Sequence, residues 1–408
     1  MTPVTGGPDD VKAPACRTLF VNDDPATYLN GGARIARDAA GNGNFTGLFR
    51  PNATGVVFGD GTLEFFRSNG DMVITHRLLD STGKTLSFDQ FVARDVGGTL
   101  KIVGNQYAYP AGVRAATQER DFINTPQFTY YNVGYDISIA NLTDSNGAPI
   151  FSQVVVTAPD NAIYTMVPTA GNNGLRLKKA DGTVTGTSII RLNGAYRNPS
   201  TAGSPVTLET QLVYVSPLLT DAQIGAIPDQ AVWKLEFFHV DTTKPNVIQS
   251  YRTMTRAYTL AEASQVTFAR LTPTMRTFLQ GLTSANGRFT YTTPPNAATP
   301  NVIAFGTPTV DAWEVPPLAA APIAFSAFGS APTVNGVPGS AFDDGVTLSS
   351  AARTAFVTCT KATNTDAHCD TSTGVTQYAL GTTWNYVQLR AGTKHGMDIY
   401  SGIAMYKY

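Results

Sequence analysis

Two cysteines and a histidine near the C-terminus have the clearest chemistry in this sequence. Cys359 and Cys369 flank a polar stretch that is typical of a hairpin tip, and His368 immediately precedes the second cysteine. We favour a disulfide, which for a loop of this size stabilises a fold by roughly 2.5–3 kcal/mol in the chain-entropy model. The competing interpretation is a metal site, but two thiols and one imidazole at this spacing match no zinc pattern and lack a fourth ligand. Cys16 is left over, as either a buried or a free thiol.

The carboxylates allow one enzymatic chemistry, because glycoside hydrolysis needs only two of them across a cleft. The six glutamates include Glu262, which is better explained as a helix-capping residue. The remaining candidates for an acid and a nucleophile or base are Glu64, Glu119, Glu236 and Asp241, although the first and third also fit solvent-facing strand positions. The chain contains no Gly-x-Ser-x-Gly, His-Glu-x-x-His, Gly-x-Gly-x-x-Gly or phosphate-loop motif. A carbohydrate-active hydrolase is therefore the alternative function, and no residue is assigned as catalytic.

Oxygen-rich turns raise a second metal hypothesis, in which the ion is calcium. Asp343 and Asp344 precede a glycine, and similar turns begin at Asn22 and Asp241. Carboxylate and carbonyl oxygens are the ligands that calcium prefers, but no turn has the twelve-residue loop with ligands at alternate positions. Solvated turns with side-chain-to-backbone hydrogen bonds explain the pattern better. We expect no cofactor, with Asp343 and Asp344 as the candidates should calcium bind.

Aromatic residues make up 10% of the chain and occur in clusters. Exposed aromatic faces would bind sugar rings or a protein surface. Their alternating placement along predicted strands favours packing inside a core instead. The candidate binding residues are Tyr107, Tyr109, Tyr130, Tyr131, Trp384 and Tyr406.

The composition predicts a mainly β protein with a weakly charged surface. Only 14% of the residues are charged, where a soluble domain usually has about a quarter. Asp outnumbers Glu by 24 to 6, and Asp favours turns whereas Glu favours helix surfaces. The net charge of −1 gives no field that would attract nucleic acid or anionic lipid. No run approaches the ~18 apolar residues of a membrane-spanning helix.

The spacing of turns predicts small antiparallel β-sandwich-like domains in tandem, with a few short helices. In the first domain, the Asn69-Gly70 turn between two apolar runs predicts a hairpin. Ser87 and Gln90 have the spacing of a capping box, which predicts a helix over residues 87–93 and a fold that is β-rich or α+β. The predicted segments are a flexible linker (1–14), this first domain (15–126), a β-sandwich with helical insertions (127–300) and a β-sandwich with the disulfide hairpin (301–408).

The helical insertions of the second domain have their own start signals. Capping patterns predict helices at residues 220–226 and from Thr259, and Pro273 suits the first position of a third helix. The last predicted strand of the chain is either an edge strand open to a partner or an interior strand packed in the core. In either case Tyr406 and Tyr408 would share one face.

These features together predict an exported bacterial protein, either periplasmic or at the cell surface. The chain opens without the basic and apolar regions of a signal peptide, and we expect that an export signal has been removed. The predicted disulfide fits an oxidising compartment. We expect a non-enzymatic binding or structural protein that contacts a polysaccharide, a protein partner or itself, without binding nucleic acid.

Overall fold

The computed structural model describes two compact units, residues 1–112 and 113–408. Both units consist mainly of antiparallel β-sheet, which confirms the predicted fold class. The predicted linker and Cys16 lie outside the described residues. Those residues are 21, 29–30, 33–34, 57–79, 83, 85–103, 107–170, 172–198, 212–281, 289–290, 302–306, 309–333, 335, 339, 341–359, 368–370, 372, 377–393 and 396–404.

The first unit contains a four-stranded antiparallel sheet in the order β3-β4-β5-β6 and a separate pair, β1-β2. Its strands are β1 (Leu29–Asn30), β2 (Ala33–Arg34), β3 (Val57–Phe66), β4 (Met72–Leu79), β5 (Thr85–Val96) and β6 (Thr99–Val103). The predicted hairpin is confirmed, since β3 and β4 pair around the turn. Gly70 has a φ of +84° there, a conformation that residues with a Cβ rarely adopt.

The helix predicted over residues 87–93 is wrong. These residues lie in the middle of β5, which pairs with β4 from Thr85 to Ala93 and with β6 from Val92 to Val96. Ladder hydrogen bonds to β4 along this stretch, and to β6 from Val92 onwards, satisfy the backbone more completely than one local capping pattern does. The described residues of this unit accordingly contain strands and no helix.

The described residues of the second unit form twenty further strands. In chain order they are β7 (Ala111–Phe122), β8 (Tyr130–Ile139), β9 (Phe151–Thr157), β10 (Ile163–Val167), β11 (Arg176–Lys178), β12 (Ile189–Tyr196), β13 (Val213–Tyr214), β14 (Val232–His239), β15 (Val247–Arg252), β16 (Arg270–Leu271), β17 (Phe289–Thr290), β18 (Val302–Phe305), β19 (Trp313–Glu314), β20 (Ala324–Ser330), β21 (Ala341–Thr347), β22 (Ala355–Thr358), β23 (Cys369–Asp370), β24 (Gln377–Tyr378), β25 (Thr383–Gly392) and β26 (Asp398–Ala404).

Two large sheets organise this unit. A nine-stranded sheet has the order β13-β12-β8-β7-β26-β25-β20-β21, with β17 beside β25, and a five-stranded sheet has the order β11-β10-β9-β14-β15. Three two-stranded pairs, β16-β19, β18-β22 and β23-β24, complete it. The domain boundary predicted near residue 300 falls inside the nine-stranded sheet, because this sheet joins strands from both sides of that position. The boundary predicted near residue 126 differs from the observed division at 112–113.

The strand β26 lies in the interior of its sheet. It pairs antiparallel with β25 and parallel with β7. The edge-strand alternative is therefore wrong for residues 398–404, while residues 405–408, including Tyr406, lie outside the described part of the chain.

Short helices begin where the capping patterns predict. Thr220 and Thr259 each form a capping box, with Gln223 and Glu262 as the reciprocal partners. Pro273 is the first residue of the third helix. In the part of the chain that the structure describes, the helices are Asp221–Gly225, Leu260–Ser264 and Pro273–Gly281, and a 3-10 turn occupies Pro126–Phe128. None of the helices in the described residues is long and apolar enough to cross a membrane.

The largest apolar core packs against one face of the nine-stranded sheet. Inward-facing residues of β20 and β25, such as Phe325, Val387 and Leu389, meet Trp313 and the helix residue Leu279 there. Both disulfide cysteines belong to the same core. The residues with the clearest chemistry are thus held in this core.

Candidate functional site

The predicted disulfide between Cys359 and Cys369 is present. Cys359 directly follows β22 and Cys369 opens β23, and both side chains are buried. Their Cα atoms are 5.8 Å apart, which is ordinary for a disulfide. The bond therefore closes the segment between two strands of the core, and residues 360–367 of that segment lie outside the described part.

A buried acid and a phenol meet the histidine next to this disulfide. The Nε2 atom of His368 lies 3.1 Å from the Oδ2 atom of Asp344 and 3.5 Å from the Sγ atom of Cys369. The hydroxyl of Tyr378 donates a hydrogen bond of 2.7 Å to the same Asp344 oxygen. All four side chains are almost completely buried. We call Cys359, Cys369, His368, Asp344 and Tyr378 the core cluster.

Neighbouring residues fix the orientation of the His368 imidazole. The ring of Phe342 stacks on it with centroids 4.1 Å apart and planes 3° from parallel. Phe342 and Asp344 are two apart in β21, so their side chains point to the same face. The amide of Ala379 donates to the His368 carbonyl at 2.8 Å. Stacking, backbone bonding and the Asp344 contact together hold the imidazole against the disulfide.

The sequence leaves a metal site here without a fourth ligand, and the structure places one further carboxylate, that of Asp344, beside the histidine. The ligand atoms of Cys359, His368 and Cys369 lie within 4.8 Å of one another. Asp344 adds a carboxylate oxygen at 3.1 Å from the imidazole. Asp344 lies in β21, 24 residues before His368. No local spacing pattern could therefore reveal the contact between them.

The two aspartates predicted as a calcium pair do not share one site. Asp343 and Asp344 are successive residues of β21, so their side chains point to opposite faces of the sheet. The carboxylate of Asp343 lies 3.3 Å from the guanidinium of Arg176, and burial raises the pKa of Asp343. Asp344 belongs to the core cluster instead.

The opposite face of the nine-stranded sheet carries a buried polar network. Gln118 on β7 accepts from Arg191 at 3.0 Å and from Asn132 at 3.3 Å, and its amide donates to the hydroxyl of Tyr386 at 2.7 Å. Tyr386 reaches Gln118 by crossing β26 at Gly402, where a side chain would collide with the tyrosine ring. The network thereby ties four strands together.

Arg191 is the unusual member of this network. It is 2% exposed, and its guanidinium donates to the carbonyl of Ile189 and to the side chain of Gln118, both of which are neutral. In the described part of the chain no carboxylate forms an ion pair with it. Neutral acceptors and the ring of Tyr214, 6.0 Å away, compensate part of the cost of burying the charge.

Acidic and basic groups pair at one end of the same face. Asp398 lies 2.9 Å from Arg390, and the Tyr400 hydroxyl donates to Asp136 at 2.6 Å. Burial, together with the two aspartates, raises the pKa of Tyr400 well above its usual value. Tyr400 therefore stays protonated and acts as a hydrogen-bond donor in this unit.

The carboxylates proposed for hydrolysis each have a different environment. Glu119 is buried and pairs with Arg197 at 2.6 Å and with Arg270 at 3.6 Å. Glu236 lies on the five-stranded sheet and accepts from Asn246, whereas Asp241 is exposed and accepts from Thr243. Glu64 belongs to β3 of the first unit. Glu119, Glu236 and Asp241 therefore each have a hydrogen-bond or ion-pair partner within the fold.

The candidate aromatic residues do not form one exposed face. Tyr130 and Trp384 are buried, in agreement with the core packing that their alternating placement favours. Tyr131 lies under the guanidinium of Arg197 at 4.5 Å, and Tyr107 lies under that of Arg67 at 5.6 Å. Tyr109 is partly buried, and this burial raises its pKa.

The first unit exposes an apolar surface that the sequence reasoning missed. Leu63, Phe66 and Leu100 are 48%, 60% and 57% exposed. Leu63 pairs with Ile74, and Phe66 pairs with Met72, which places these four side chains on one face of the four-stranded sheet. Through β5, the same face continues to Ile102 and Leu100 on β6. We call Leu63, Phe66, Met72, Ile74, Leu100 and Ile102 the apolar strand face.

No protein-family model and no curated protein matches this chain. The solved structures that align with it include two at low similarity. One concerns host cell surface retention of a 1.5-MDa bacterial ice-binding adhesin, with 8% identity, a TM-score of 0.15, and coverage of 82% of this chain and 74% of that chain. The other is a Ca²⁺-stabilised adhesin that helps an Antarctic bacterium bind ice, with 7% identity, a TM-score of 0.14, and coverage of 86% and 74%. These TM-scores do not indicate a common fold.

Proposed function

We propose that this chain is an exported, non-enzymatic structural protein that associates with further copies of itself through the apolar strand face. The observation that carries the proposal is the exposure of Leu63, Phe66 and Leu100 on one side of a four-stranded sheet. Exposed apolar side chains grouped on one face of a sheet are typical of an interaction site. Such a face suits the same face of a second copy.

The charge of the chain favours a second copy as the partner. With a net charge of −1, two copies repel each other only weakly, and proteins near zero net charge tend to associate. The candidate sugar-binding residues Tyr130 and Trp384 are buried. The exposed surface therefore supports a protein contact better than a polysaccharide contact.

The disulfide supports export. Cytosolic thiols are kept reduced, so a buried structural disulfide such as Cys359–Cys369 suits an oxidising compartment. Mass spectrometry of a non-reduced digest of the protein from its source checks this. Two alkylatable thiols at these positions would contradict export.

Light scattering at increasing protein concentration tests self-association. We expect the apparent mass of the wild-type chain to rise with concentration. Phe66→Glu places a charge on the apolar strand face and should weaken association at least tenfold, because burying an unpaired charge costs more than about 1.4 kcal/mol.

The matched control is Ile163→Glu, which changes an exposed strand residue of the second unit, 68% exposed. This variant should associate as the wild type does. A wild-type chain that stays monomeric, or a Phe66→Glu variant that associates normally with an unchanged circular dichroism spectrum, overturns the proposal.

A further inference from the structure

Two distances from His368 are close to those between neighbouring ligands of a tetrahedral metal ion. In a zinc site with bonds of about 2.0–2.3 Å, neighbouring ligand atoms lie roughly 3.3–3.8 Å apart. The distance from His368 Nε2 to Asp344 Oδ2 is 3.1 Å, and that to Cys369 Sγ is 3.5 Å. The same nitrogen thus faces both a carboxylate and a sulfur at about the separation that a shared zinc ion requires.

We propose that reduction of the Cys359–Cys369 bond converts the core cluster into a zinc site. The ligands are both thiolates, the Nε2 atom of His368 and one oxygen of Asp344. This set of two sulfurs, one nitrogen and one oxygen suits Zn²⁺, whereas calcium takes oxygen ligands. The inference is independent of the proposed self-association, which involves the other unit.

The surroundings of the cluster match those of a structural metal site. The four ligand residues are buried, which excludes competing water. Tyr378 donates a hydrogen bond to the Asp344 oxygen at 2.7 Å, and Phe342 stacks on the imidazole. Such outer contacts orient ligands and tune metal affinity. The fold therefore supplies both the ligands and the groups that position them.

The conversion between the two states balances as a thiol–disulfide exchange. A dithiol reductant gives two electrons and two protons to the Cys359–Cys369 bond and becomes a disulfide itself. Binding of Zn²⁺ then releases the two thiol protons. One pair of cysteines would thus cross-link the core by a covalent bond in the oxidising compartment proposed above and by a metal ion under reducing conditions.

Titration of the full chain with Co²⁺ and then Zn²⁺ tests the proposal. The chain is first reduced with a phosphine, which does not compete for zinc as a dithiol does, and is then freed of metal. We expect one equivalent of Co²⁺ to give the visible absorption of a tetrahedral site and a thiolate charge-transfer band, and Zn²⁺ to displace it. The oxidised chain should give neither signal.

Variants separate this site from adventitious thiol binding. Cys359→Ser should abolish the charge-transfer band, Asp344→Asn should weaken binding at least tenfold, and Tyr378→Phe should weaken it by about 10–100-fold. Cys16→Ser is the matched control and should bind normally. Unchanged affinity in folded Asp344→Asn, or loss of the site in folded Cys16→Ser, overturns the assignment.

Alkylation mapping gives a readout that needs no variant. In the reduced wild-type chain, one equivalent of Zn²⁺ should protect Cys359 and Cys369 from alkylation at least tenfold more than it protects Cys16. Equal reactivity of Cys359 and Cys369 with and without Zn²⁺ would refute the proposal.

Discussion

Glu262 has two partners at the start of the helix Leu260–Ser264. One carboxylate oxygen accepts from the amide of Thr259 at 2.8 Å, and both oxygens accept from the guanidinium of Arg256 at 2.7 Å. The hydrogen bonds from Arg256 are the largest cause that lowers the pKa of Glu262 to about 2. A carboxylate with a lowered pKa stabilises the folded state above its unfolded pKa, and this contribution is lost as the pH falls towards 2.

We therefore expect Glu262→Gln to destabilise the second unit in a pH-dependent way. Glutamine keeps the capping geometry but loses the charge, and the ion pair is partly exposed, so the expected cost at pH 7 is about 0.3–1 kcal/mol. The cost should vanish near pH 2. Urea unfolding at both pH values measures it.

An Arg256→Gln background provides the control for this prediction. There the effect of Glu262→Gln should lose most of its pH dependence, with the remainder due to the hydrogen bond from the Thr259 amide. A pH-independent cost in the wild-type background would show that the charge contributes nothing.

The core cluster shows what residue types alone could not reveal. The disulfide was predictable because Cys359 and Cys369 are close in sequence and flank a polar turn. Asp344 was interpreted as a turn residue with Asp343, although it belongs to a strand and faces His368. Its role depends on the pairing of β20, β21 and β25, which no short spacing pattern encodes.

Gly402 allows the side chain of Tyr386 on β25 to cross the strand β26. A methyl group at this position would overlap the ring of Tyr386. That ring cannot swing away freely, since its hydroxyl bonds to Gln118 and Gln388 and the Arg120 guanidinium covers it at 3.9 Å. Close packing over this glycine is therefore a requirement of the polar network.

We expect Gly402→Ala to destabilise the second unit by about 1–3 kcal/mol, the usual cost of overpacking. Urea unfolding monitored by tryptophan fluorescence measures the change. Gly186→Ala is the matched control, since no heavy atom lies within 4 Å of the added methyl group, and its effect should stay within about 0.5 kcal/mol. Equal stabilities of the two variants would contradict the packing argument.

Local signals predicted helices well where no strand competed for the same residues. The capping boxes at Thr220 and Thr259 start helices, and the same pattern at Ser87 does not. The difference lies in the partners, because β5 has β4 on one side and β6 along part of the other. The turn at Asn69 and Gly70 was also predicted correctly, because the conformation of such a turn depends on only about four consecutive residues.

At the scale of the whole molecule, the pairing of β7 with β26 joins distant parts of the chain. The two strands run parallel, and they bring residues 116–122 beside residues 398–404. The apolar core is shared in the same way, since Ile123, Leu271 and Met275 pack in one cluster with Trp384 and Ile403. Composition and turn spacing predict a mainly β chain with a few short helices, but they carry no information on such long-range pairs.

This pairing predicts which fragments fold. A fragment of residues 113–408 keeps every strand of the nine-stranded sheet except the first two residues of β7, and should unfold in urea in one cooperative transition. A fragment of residues 301–408 keeps β20, β21, β25 and β26 but loses β7, so it exposes the edge of β26 and lacks its share of the apolar core. We expect it to be unfolded or aggregated by circular dichroism and light scattering. A soluble 301–408 fragment with a cooperative transition would instead establish the independent C-terminal domain that the turn spacing predicts.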